Sequence, residues 1–117
     1  MKLSEAMKKG SALVRGQLYD QWINSDGTEA CSVTMALIGK LGVAEVLRIR
    51  LWGACEGCYL SSTAREHFPA LSELSPQGFK GARRWDGDDL MGELVSMNDV
   101  QHMTAEQIAA ELDKVGL

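Results

Sequence analysis

Cys55, Glu56, Gly57 and Cys58 set two thiols three positions apart across a glycine. A turn of this kind brings both sulfurs to one point, which suits a zinc ion or a redox dithiol. The chain holds one such pair; its third cysteine is Cys31, and its histidines are His67 and His102. A four-coordinate zinc site would have to gather Cys31, Cys55, Cys58 and a histidine, His67 or His102, with His102 taken as the fourth ligand. No spacing in the chain enforces that set. The simpler reading is two small, partly buried thiols at a helix boundary. A thiol-dependent redox enzyme using Cys55 and Cys58 is a further alternative. It needs a strand leading into a helix, and the segment before Cys55 has no convincing strand character.

Other residue groups carry weaker chemistry. Phe79, Lys80, Arg83, Arg84 and Trp85 form a basic, aromatic, glycine-rich loop that could grip a phosphate or stack a base. A solvated loop anchored by Trp85 accounts for it more simply. His102 could act in acid–base work, but no carboxylate or nucleophile is fixed near it by spacing, and an exposed turn residue is the plainer reading. His67, beside Phe68, reads as a packing residue. No phosphate-binding loop, His-Glu-x-x-His or nucleophile elbow is present. Thr104 to Leu112 resembles the first helix of a DNA-binding helix-turn-helix, but no reading helix follows within the 117 residues. No catalytic residue is assigned. No cofactor is expected, with zinc as the alternative.

The elements that must position these groups read as helices. Leu3, Ala6, Met7 and Gly10 share one helical face, with Ser4 as a cap and the pattern continuing through Leu13, Val14 and Leu18. Gly10 and Gly16 weaken the case for one unbroken helix. Tyr19, Trp22 and Ile23 are expected to pack as that segment ends, and Asn24 to Thr28 is a turn. Glu29 to Lys40 follows, capped by Thr28; it is apolar on nearly all sides and therefore central. Gly39 and Gly42 mark its end, Gly42 as the C-cap. Val43 to Trp52 fits either helix or strand, and helix is preferred because no partner strand is evident.

Gly53 to Tyr59 reads as a turn. A short helix then runs from Ser61 or Ser62 to His67, stopped by Pro69. Residues 70–87 are loop-rich. Asp88 and Asp89 open a helix whose stripe is Leu90, Met91, Leu94, Val95 and Met97, closed by Asn98 and Asp99. Thr104 and Gln107 have the spacing of a capping box for the last helix, Ala105 to Val115, with Met103 and Ile108 placed as a hydrophobic staple. Ala105, Ile108, Ala109, Leu112 and Val115 should face inward, and Gly116 should end the helix. Five of the six methionines, Met7, Met35, Met91, Met97 and Met103, fall on core faces or the staple. Packing explains them better than a flexible binding surface does.

Bulk properties narrow the function classes. The hydrophobic fraction is 45% and the net charge is −4, with a pI of about 5.1. The first supports a folded chain; the second argues against a nucleic-acid binder that works by neutralising phosphates. Residues 1–20 carry Lys2, Glu5, Lys8, Lys9 and Arg15 without an apolar stretch, so no secretory leader is expected. No apolar run approaches a membrane span. An odd cysteine count fits a reducing compartment, hence the cytoplasm.

Several blocks occur together in an order that resembles a group of short phage and prophage proteins. They are Leu3-Ser4-Glu5-Ala6-Met7, the helix containing Ala30-Cys31-Ser32-Val33-Thr34-Met35-Ala36, the Cys-x-x-Cys, and Met97-Asn98-Asp99 followed by Thr104-Ala105-Glu106-Gln107-Ile108-Ala109. The family's tail carries histidines where this chain has Ser96 and Gln101, and His102 is displaced by one residue. Any metal held by those histidines would have lost its ligands here. The resemblance implies a fold and a genomic setting, and no activity.

The sequence thus leads to one all-α domain over residues 1–117, of five or six helices ending in a helical hairpin. The expected function is that of a non-catalytic interaction or accessory protein with a protein partner or a second copy of itself, and without nucleic acid or membrane.

Overall fold

A computed structural model describes residues 1–50, 56–76, 79 and 89–117, the side chains of 56–58 excepted. Its described elements are helices α1 (Leu3–Leu13), α2 (Ser32–Leu41), α3 (Val43–Arg50), α4 (Glu56–His67), α5 (Leu90–Asp99) and α6 (Ala105–Lys114), with a 3-10 turn at Pro69–Ser72. Two short strands, β1 (Gly16–Gln17) and β2 (Glu29–Ala30), pair in parallel. The architecture is an all-α bundle, and Val43–Arg50 is helical. None of the described helices is long and apolar enough to cross a membrane.

α2 lies at the centre. Every residue from Ser32 to Gly39 is buried, as its nearly all-round apolar sequence requires. It packs most closely on α1, through glycines. A Cβ on Gly10 would stand 1.7 Å from the Met35 carbonyl oxygen, and one on Gly39 would stand 1.9 Å from that of Ala6. These glycines neither break α1 nor end α2; they let two backbones touch. Helix α2 stops instead at Gly42, whose φ of +90° and N–H bond to the Ile38 carbonyl make it the C-cap.

Helix α6 seats on α1 and carries the capping box in full: the Thr104 hydroxyl accepts from the Gln107 N–H, and the Gln107 side chain accepts from the Thr104 N–H. Ala105, Ile108, Ala109 and Leu112 are buried, while Met103 is half-buried against the core. The far end closes with a Schellman turn, in which Gly116 at φ +79° lets the Leu117 N–H reach the Leu112 carbonyl and the Gly116 N–H that of Asp113. The Leu117 carbonyl then accepts from the Ser4 N–H, so the two ends of the chain are hydrogen-bonded.

Four local expectations are corrected. Helix α2 begins at Ser32, because Glu29 and Ala30 pair with Gly16 and Gln17 instead of winding into a helix; Cys31, not Thr28, is its N-cap. Helix α4 begins at Glu56, upstream of Ser61. Lys2 precedes α1 as its N-cap, and the buried Ser4 hydroxyl donates to Asp113 of α6. Tyr19 is more than a third exposed, although Ile23 is buried and Trp22 half-buried.

Candidate binding face around Asn98

Helix α5 is amphipathic, and its buried stripe runs Leu90, Met91, Leu94, Met97. Asn98 lies four residues after Leu94 and seven after Met91, so it falls on the same stripe and is 1% exposed. A buried amide must find partners, and this one finds four. Its Oδ1 accepts from the Ser32 N–H at 2.9 Å and from Gln17 Nε2 at 2.7 Å. Its Nδ2 donates to the Leu18 carbonyl at 2.8 Å and to Asp99 Oδ1 at 2.7 Å. Opposing backbone partners, one donor and one acceptor, fix which way the amide points.

Gln17 repeats the device from the other side. It donates to the Met103 carbonyl at 2.7 Å and accepts from the Ala105 N–H at 2.9 Å. Two amides thereby join the β1 segment, the start of α2, the end of α5 and the start of α6. One orphan N–H at each of the two helix starts is satisfied by a side chain distant in sequence.

This network supports an irregular surface. Asp99 Oδ1 also accepts from the Asp20 N–H at 2.9 Å. Asp20 has φ +62° and His102 has φ +52°, the only non-glycine residues with positive φ among those described. The His102 ring stacks on that of Tyr19, the neighbour of Asp20 in sequence, with centroids 4.4 Å apart. Val100 is 57% exposed beside this turn in sequence. Two hollows use the 14–22 segment as a wall. One, of about 90 Å³, includes Asp20, Trp22 and the start of α2. The other, of about 210 Å³, includes Tyr19 and the start of α6.

The residues singled out for metal chemistry are placed as follows. Cys31 is buried at the α2 N-cap, its sulfur 3.3 Å from the Thr34 hydroxyl. Burial pushes this thiol up; the Thr34 hydroxyl acts in the opposite direction, and the Asp99 charge adds to the rise. His102 is exposed and stacked on Tyr19. Cys55 and the side chain of Cys58 lie outside the described residues, as do Lys80, Arg83, Arg84 and Trp85. Phe79 packs half-buried against the core. Among the described residues no group of three histidine, cysteine or acidic side chains could hold a metal ion.

In the sequence Asn98 reads as a helix end, and Gln17 and Asp20 do not stand out. The signal for Asn98 was present: an amide at i+4 and i+7 on an apolar stripe is a buried polar group in need of partners. The signal for Gln17 was not, since its partners come from α5 and α6, over 80 residues away. In comparisons with protein-family models, curated proteins and solved structures, the chain matches none.

Proposed function

We propose that this chain is a non-catalytic interaction or accessory protein, of the phage or prophage kind its sequence blocks resemble, working in the cytoplasm. Its contact face is the surface formed by residues 17–22 and 98–103. The observation that supports this reading is the exposed Tyr19–His102 stack, in which His102 and the neighbour of Tyr19, Asp20, are the two left-handed residues, beside the amide network of Asn98 and Gln17. Each such backbone costs on the order of 1 kcal/mol or more, and strain of this kind concentrates where a surface is shaped for a ligand. Tyrosine is enriched at interfaces because it offers much contact area for little lost entropy. The partner is a protein with a basic contact surface, complementary to Asp20, Asp99 and the net charge of −4.

The test is a photo-crosslinking residue placed at Tyr19, with a control at exposed Glu66 on α4. A partner that recurs only at Tyr19 is purified and titrated calorimetrically. Tyr19→Ala should weaken its binding about tenfold or more, as expected of a central aromatic contact. Absence of a recurrent partner at Tyr19, recurrence of a second copy alone, or full affinity of Tyr19→Ala would each overturn the reading.

A further inference from the structure

The turn that leads into β2 contains the pair Asp26-Gly27. In an open chain such a pair isomerises, because glycine has no Cβ to shield its nitrogen. The Gly27 amide nitrogen gives up its proton and attacks Asp26 Cγ, and one carboxyl oxygen leaves as water. The leaving oxygen must be protonated, so an ionised carboxylate is a poor reactant. The cyclic imide then takes up water at one of its two carbonyls. Opening at the backbone carbonyl leaves isoaspartate, in which the chain runs through the side-chain carboxyl carbon and gains one backbone atom.

In the folded protein each reacting group is held. Asp26 Oδ1 accepts from the Thr28 hydroxyl at 2.6 Å and from the Thr28 N–H at 3.1 Å. The hydroxyl first, and the N–H next, keep the Asp26 carboxyl below its usual range. The Gly27 N–H donates to the Asn24 carbonyl at 3.2 Å, so the proton that must leave is engaged. Gly27 itself is buried at φ +75°, and a Cβ there would stand 2.7 Å from Val43 Cγ1 and 3.1 Å from Leu47 Cδ1. These α3 side chains lie close against it and oppose the rotation that ring closure needs. The flanking arms are tied as well, by the Asn24 N–H to the Glu29 carbonyl at 3.1 Å and the Arg15 N–H to the Thr28 carbonyl at 2.7 Å. We propose that Asp26–Gly27 is a self-modification site that this turn keeps closed, and that it isomerises only when residues 24–28 open locally. Thr28 is the main guard, since both bonds to the carboxylate come from it. The added backbone atom misfits the Asn24–Gly27 and Asp26–Thr28 bonds, so reaction during an opening stops the turn from re-forming.

The test incubates the full chain beside the blocked peptide acetyl-Asn-Ser-Asp-Gly-Thr-Glu-amide at mildly acidic pH. Peptide mapping with electron-transfer fragmentation measures isoaspartate at Asp26 and separates it from the chain's other Asp-Gly pair, Asp86-Gly87. Isoaspartate should accumulate at least about tenfold more slowly in the protein than in the peptide. Thr28→Val deletes the hydroxyl at similar volume and should raise the rate in the protein about tenfold. Thr28→Ser keeps a hydroxyl and should raise it less than about threefold. Gly116→Ala strains the far end of α6 through its positive φ. It controls for general destabilisation and should leave the rate within about twofold. A protein that isomerises as fast as the peptide overturns the inference. So does a Thr28→Val rate that is unchanged, or that is matched by Thr28→Ser or by Gly116→Ala. Should Thr28→Val fail to fold, wild-type rates in low urea decide. A rise well before the unfolding transition supports local opening, and a rise only within the transition overturns it.

Discussion

Asn98 shows how a single residue can tie the β1 segment and the start of α2 to its own helix while adding almost no apolar burial of its own. Replacing it by aspartate keeps its size but exchanges two N–H donors for a carboxylate oxygen facing the Leu18 carbonyl and Asp99. Asn98→Asp should therefore destabilise the fold by about 2–4 kcal/mol, read as a lowered urea midpoint with an unchanged slope. Asn98→Ala should cost a similar amount, because the Ser32 N–H and Leu18 carbonyl lose their partner. A loss below roughly 0.5 kcal/mol in both variants would show that water replaces the amide without penalty.

Cys31 makes a second residue-scale prediction. Burial holds its thiol above the usual range, so native Cys31 should resist a thiol reagent at pH 8. In a Cys55→Ser, Cys58→Ser background, labelling should follow unfolding. Rapid labelling of the native protein would refute this. The linkage has a definite sign. The unfolded thiol loses its proton at a lower pH than the folded one, so the Cys31 contribution is whole below the unfolded value and declines as pH rises above it.

At the scale of elements, the α1–α2 crossing is set by backbone contact. Gly10→Ala and Gly39→Ala each drive a Cβ into a main-chain carbonyl of the facing helix, which cannot swing aside. Each should cost about 3 kcal/mol or more, since the helices must separate and the packing between them is lost. Gly42→Ala meets nothing within 4 Å and suffers only its positive φ, so about 1 kcal/mol is expected. Urea melts of the three variants check the order. A Gly42 variant as damaged as the other two would mean that conformational freedom, not clearance, is what the glycines supply.

At the scale of the whole molecule, carboxylates link helices distant in sequence. Asp113 of α6 accepts from Lys8 and Ser4 of α1, and Glu106 of α6 accepts from Ser11. Lys8 first, and Ser4 next, hold the Asp113 carboxyl below its usual range, and Ser11 does the same for Glu106. For Asp89, burial raises the carboxyl, but the Gly92 N–H and then Arg65 of α4 bring it lower overall. A depressed folded pKa stabilises above the unfolded value of about 4 and is lost as pH falls through the folded one. The urea midpoint should therefore drop as pH falls below about 4.5. Asp113→Asn should lower the midpoint at pH 7 and make its fall shallower. A wild-type midpoint flat to pH 3 would remove these links from the stability of the fold.

The helical class was legible because its cause is local. Apolar residues recur at helical spacing, Thr104 and Gln107 make their box within one turn, and Gly42 and Gly116 end helices through their own backbones. Even the central place of α2 follows from its composition. The roles of Gly10 and Gly39 were not legible: a glycine in a helix reads as a break until the second backbone it touches is known. The same holds for the contact face. Asn98, Gln17 and Asp20 are ordinary polar residues in sequence, and their bonds cross about 80 positions. Short-range spacing determines which segments wind into helices. Which polar groups meet depends on where those helices come to rest, and tertiary packing alone decides that.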